Sequence, residues 1–107
     1  MRSGIVRVKG RDAGVLEETP EGYRFRYLQS YLLDPEVPSV SLTLPRSKDV
    51  VESKVLFPFF FGLLAEGNLK EEQCRRFKID EKDHFGRLLV TAGSDTIGAV
   101  TVHQENS

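Results

Sequence analysis

Tyr23-Arg24-Phe25-Arg26-Tyr27 alternates strictly between aromatic and basic side chains. Successive residues of a strand point to opposite faces, so this period of two predicts a half-buried strand with its rings inward and its arginines outward. Upstream, Ile5-Val6-Arg7-Val8-Lys9 places Val6 and Val8 on one face, with Ile5 and Arg7 on the other. Gly10-Arg11-Asp12-Ala13-Gly14 then supplies glycines for a hairpin loop, and Val15-Leu16 begins the return strand. Thr19-Pro20-Glu21-Gly22 is the turn that leads into the aromatic strand.

Downstream, Val40-Ser41-Leu42-Thr43-Leu44 alternates again and is read as another strand, stopped by Pro45. After that the period changes. Pro58 suits a first helical turn, where a missing N–H costs nothing, and the run to Ala65 is almost wholly apolar before Gly67 as a C-terminal stop. Asn68 followed by Glu71 has the spacing of a capping box for a helix from Leu69 to Lys78. Asp80 opens a third helix, in which Phe85, Leu88, Leu89 and Ala92 recur on one face until Gly93. A last alternating strand runs from Ala99 to His103. Strands, then helices, then one strand imply an α+β fold: a small antiparallel sheet, made of a meander and a C-terminal strand, with about three helices packed against it.

The chain has 107 residues, the size of one domain, and 1–107 is read as a single unit. Hydrophobic residues make up 39% and charged residues 29%, a balance typical of globular rather than disordered chains. Lys and Arg number 15 against 16 acidic residues, and the two signs are interspersed. Phosphate-backbone binding draws on clustered cations, so direct nucleic-acid binding is not expected. Cys74 is the only cysteine, which excludes an internal disulfide and fits a reducing compartment. The opening Met1-Arg2-Ser3-Gly4 is not an apolar leader, and the Val55–Ala65 run is too short to span a bilayer. The expected location is the cytoplasm.

The candidate chemistry is weak. Asp83-His84-Phe85-Gly86 looks like the magnesium-binding Asp-Phe-Gly of protein kinases with a residue inserted. That motif needs a glycine-rich loop, a strand lysine and a catalytic-loop Asp and Asn, none of which accompanies it. Asp83 is better read as an acid in the first turn of a helix, with Phe85 in the core. His84, His103 and Cys74 do not have metal-ligand spacing, so neither a metal nor another cofactor is expected. Gly93-Ser94-Asp95-Thr96-Ile97-Gly98 lacks the Lys-Ser/Thr of a phosphate-binding loop and reads as a helix-to-strand turn. The Tyr23–Tyr27 alternation could serve base stacking, but an ordinary strand explains it as well. The run Phe57 to Leu64 is the most informative, because a helix apolar all round must be covered on more than one side. Either it is core, or one face meets a partner.

Three segments carry a family resemblance. Phe59-Phe60-Phe61-Gly62-Leu63-Leu64-Ala65-Glu66-Gly67 resembles the FFxxLLPEG segment near the start of HipA-type serine/threonine kinases, with Ala65 where the family often has proline. Asp83-His84-Phe85-Gly86-Arg87-Leu88-Leu89 is similar to that family's D-x-F-x-L-L, and Gly93 to Ala99 to its G-x-D-x-x-GA. The motifs occur in order, and the opening hairpin with Gly10 and Gly14 and the strand Val40 to Leu44 ahead of Pro45 also fall where that family has them, so the resemblance covers nearly the whole chain. The resemblance is to the N-terminal subdomain, which in full-length HipA proteins is followed by a kinase domain.

The resemblance implies a non-catalytic protein like the small component of the split, three-gene HipBST toxin–antitoxin arrangement. Its partner would be a HipA-like serine/threonine kinase that it binds and restrains. A helix-turn-helix HipB-like DNA-binding protein would be the third member, so that any operator contact is indirect. The alternatives are a structural N-terminal fragment of a full-length HipA kinase and a small-ligand domain built on the Gly93–Gly98 turn. A subdomain separated from its kinase must fill or expose its inter-domain surface. The binding face is accordingly expected to draw on Phe59, Phe60, Glu66, Asn68 and Asp95.

Overall fold

The computed structural model describes residues 1–93 and 99–105. Its strands are β1 (Ser3–Val8), β2 (Arg11–Thr19), β3 (Gly22–Tyr27), β4 (Val50–Ser53) and β5 (Val100–Gln104). The helices are α1 (Gln29–Leu32), α2 (Pro58–Phe61), α3 (Gly67–Phe77) and α4 (His84–Thr91). The strands form one antiparallel sheet in the order β4-β3-β2-β1-β5, so the C-terminal strand returns to pair with the first. This is the α+β architecture expected, with one more short helix than the sequence suggested.

Register explains the core. Val6 lies between Gly14 and Val102, and Phe25 between Leu16 and Val51, which lines these side chains along one face of the sheet. Phe60, Leu64, Phe85, Leu88 and Leu89 from the helical side join the same buried cluster. The aromatic strand behaves as its alternation predicts: Phe25 and Tyr27 are buried and Arg26 is exposed. Its rings are therefore core and are not available as a base-stacking platform.

The first hairpin is tighter than expected. Lys9 and Gly10 both take positive φ, 52° and 79°, as a two-residue turn that matches strand twist requires. Gly14 belongs to β2 rather than to the loop. A side chain there would meet the Phe25 ring and the Arg26 carbonyl, so Gly14 serves close approach and not turning.

The strand expected at Val40–Leu44 is not formed. The chain reverses there, with the Leu44 amide donating to Ser41 O at 3.0 Å, and Leu42 stands at the tip, 98% exposed. Alternation failed as a guide because a buried hydroxyl competes for this backbone. The Tyr27 phenol accepts from the Val40 amide at 2.8 Å and donates to the Leu44 carbonyl, which holds Val40 and Leu44 inward without a strand partner. Arg46 donates to the carbonyls of Leu32, Asp34 and Pro35 and fixes the same loop against the end of α1. The strand that pairs with β3 comes later, as β4.

The apolar run is also shorter as a helix than expected. α2 ends at Phe61 with Gly62 as its C-cap, and the chain then turns through Leu63 and Leu64. Gly67 does not stop it; with φ of 62° it is the first residue of α3. Glu66 is the N-cap of α3 and no side chain caps this end, so the Asn68 capping box is not formed. α4 begins four residues beyond Asp80, which instead shapes the preceding turn by accepting from the Lys82 and Asp83 amides.

Candidate functional site

α2 and α4 bring the first two motif segments together. The Phe61 ring packs edge-to-face on the His84 imidazole with centroids 5.0 Å apart. Both rings line a pocket of about 240 Å³, together with Leu64, Ala65, Glu66, Lys70 and Glu81. Arg87 lines the same pocket although it is only 4% exposed. Its guanidinium donates to the Ala65 carbonyl at 2.7 Å, with weaker approaches of 3.5 Å to the Glu81 carbonyl and to His84 Nδ1. Lys70 holds Glu81 at 3.8 Å.

The start of α4 is anchored from the sheet. Asp83 is its N-cap and accepts from the Gly86 amide at 3.1 Å. Arg2, beside β1, reaches across with two donors to Asp83 at 2.8 and 2.9 Å and two to Glu18 at 2.8 and 3.0 Å. Its guanidinium also sits 5.6 Å from the centre of the Phe85 ring. Hydrogen bonds from Arg2 hold the carboxyls of Glu18 and Asp83 below their ordinary values, and the same bonds raise the Arg2 pKa. Gly86 makes room for this bridge, because a Cβ there would collide with Asp83, Arg2 and Ile79. The Asp-His-Phe-Gly segment is thus a cap, a core anchor and a gap for an arginine.

A second groove, of about 230 Å³, runs between α3 and α4 and carries the exposed apolar side chains Leu69, Phe77 and Val90 beside Glu72 and Arg76. The helical side therefore presents two concave features with apolar rims. Among the described residues no group of three or more His, Cys, Asp or Glu side chains could hold a metal ion, and no helix is long and apolar enough to cross a membrane.

The residues expected on a binding face separate. Phe60 is 0% exposed and belongs to the core, because the short α2 turns it toward the Phe25 ring, 5.9 Å away; it is withdrawn as a contact residue. Phe59 is half-buried and packs on the core. Glu66 is exposed and borders the Arg87 pocket, whereas Asn68 is exposed without lining it. Asp95 lies outside the described residues, as does most of the Gly93–Gly98 turn. Sequence reasoning missed Phe61, which is 45% exposed, together with His84 and Arg87. The helical period could have flagged Phe61, since it falls next to Phe60 on a different face. No sequence signal marks Arg87 as buried.

Comparison with known proteins places these features. The sequence model of the HipA N-terminal domain family matches residues 4–103, from β1 into β5 and including all three motif segments. An uncharacterized protein of Haemophilus influenzae is 36% identical over 105 residues, 98% of this chain and 94% of its own length. Among solved structures, a chain described as the N-terminal domain of HipA toxin is similar with a TM-score of 0.75 at 34% identity, covering 100% of this chain and 95% of that one.

Proposed function

Because this chain belongs to the HipA N-terminal domain family, we propose that it is a non-catalytic, antitoxin-like subunit that binds and restrains a HipA-like serine/threonine kinase. A helix-turn-helix HipB-like protein completes the complex and carries its contact with DNA. The observation behind this reading is the family match together with the Haemophilus influenzae relative, 94% of whose length aligns here. That relative is little more than this domain, so the domain occurs in a chain with no room for a kinase.

The surface is consistent with such a role. Phe61, Leu69, Phe77 and Val90 are exposed on the helical side, concentrated around two grooves. Clustered apolar exposure of this kind is characteristic of surfaces that meet another protein. Restraint would follow from occupying the place of an N-terminal subdomain against the kinase, either blocking substrate or holding its nucleotide loop in a poor geometry.

Co-expression with a HipA-like kinase tests the proposal by scoring growth and co-purification together. Growth rescue with a stable complex is the expected result. A complex without rescue would reduce the protein to a structural subunit, and absence of both would remove the proposal.

A further inference from the structure

Among the described residues, Arg87 is a buried cation without an anion. Its exposure is 4%, its Nε has no hydrogen-bond partner, and no carboxylate among the described residues comes within 4.0 Å of it. One strong bond to the Ala65 carbonyl and two contacts at 3.5 Å satisfy only part of a five-donor fork. A buried charge left in this state is unfavourable unless something neutralises it. Two glutamates border the same pocket and neither provides the pair: Glu81 is turned to Lys70, and Glu66 is exposed at the rim.

We infer that the Arg87 pocket receives an aspartate or glutamate side chain of the partner protein, paired with the Arg87 guanidinium and flanked by the Phe61 and His84 rings. The inference rests on the proposed kinase-binding role and adds the chemistry of one contact. Charge selects the occupant, because a planar guanidinium matches a carboxylate in a two-point geometry. Size narrows it further. A volume of about 240 Å³ accommodates one side chain and falls below the roughly 300–1,000 Å³ common for small-molecule and cofactor pockets. The half-exposed Phe61 ring supplies an apolar rim that excludes water from the pair, the arrangement in which an interfacial ion pair counts most.

The test follows the Arg87 Nε–H resonance of isotope-labelled protein while unlabelled HipA-like kinase is added, with inorganic phosphate and sodium acetate as separate titrants. The expected result is a shift of that resonance and slower exchange with solvent on kinase binding, with no saturable response to either small anion. In parallel, Arg87→Met should weaken the complex roughly 30-fold or more, and Arg87→Lys less, since lysine keeps the charge but not the fork. Kinase binding that leaves the Nε–H unmoved overturns this inference and leaves the proposed function standing; no binding by the unsubstituted protein overturns both. A saturable phosphate or acetate response without a kinase response assigns the pocket to a free anion and contradicts the inference. So does a shift in the free protein on Glu66→Gln or Glu81→Gln, which would mean that the pocket is neutralised from within. The resonance is read on the unsubstituted chain, so the answer survives even if Arg87→Met fails to fold.

Discussion

Arg87 Nη2 lies 2.7 Å from the carbonyl oxygen of Ala65, twenty-two residues earlier in the chain. This bond joins the Phe59–Gly67 segment to the Asp83–Leu89 segment, two stretches that look unrelated in sequence. Ala65 lies in the link between α2 and α3, where backbone carbonyls lack helical partners, and a side chain from α4 supplies a donor. The two motifs therefore act as one structural feature, with the Phe61–His84 contact as its outer wall.

Removing that donor should loosen the link. Arg87→Ala is expected to cost about 1–2 kcal/mol, the usual consequence of losing a charge-assisted hydrogen bond to a partly buried acceptor. Denaturant unfolding gives the magnitude, and hydrogen exchange should show faster opening of residues 62–67 than of β1 and β2.

Gly86 and Gly62 should respond in opposite ways to alanine. A Cβ at Gly86 would run into Asp83, Arg2 and Ile79, so Gly86→Ala is expected to destabilise by about 1–3 kcal/mol, as overpacking does. At Gly62 the nearest atoms are carbonyl oxygens 3.4 Å away and φ is −65°. Gly62→Ala should therefore be neutral or stabilise by up to about 1 kcal/mol through the unfolded chain. Midpoints of urea unfolding check both.

The pattern of rings was legible in the sequence, and the competition for backbone hydrogen bonds was not. Period two placed β1, β3 and β5, each of which packs one face on the core, and the spacing of Phe85, Leu88, Leu89 and Ala92 identified the apolar face of α4, although Gly86 and Arg87 are buried as well. Val40–Leu44 has the same period, yet its amide and carbonyl go to the Tyr27 hydroxyl, a partner that no local pattern discloses. The binding face was legible only as a region. Burial divides neighbours within Phe59–Phe61, and Arg87 enters the site through a carbonyl distant in sequence.

Tyr27→Phe tests that competition. Loss of the hydroxyl leaves the Val40 amide and the Leu44 carbonyl without their partner, at a cost of about 1–3 kcal/mol. Faster exchange of the Val40 amide, with β3 little changed, is the expected signature.

The Arg2 bridge should give the fold an acid limit. The Glu18 and Asp83 carboxyls are held below their ordinary 4.5 and 3.8, so they contribute stability above those values and lose it as pH falls through their lowered folded-state pKa values. Stability should decline below about pH 4.5, and Arg2→Met should flatten that decline while costing about 1 kcal/mol or less at neutral pH, since the bridge is partly solvent-exposed. Thermal melts of both forms between pH 3 and pH 7, values set by the ordinary carboxylate range, provide the comparison.

The most direct measurement of the central claim is the phosphorylation rate of a purified HipA-like kinase as this protein is titrated into it. The rate should fall until the two are equimolar and then level off. Phe61→Asp, at a half-exposed position, should shift the curve to higher concentration by more than its loss of the His84 ring contact lowers thermal stability. A kinase rate unchanged at saturation, with the complex formed, would contradict the claim.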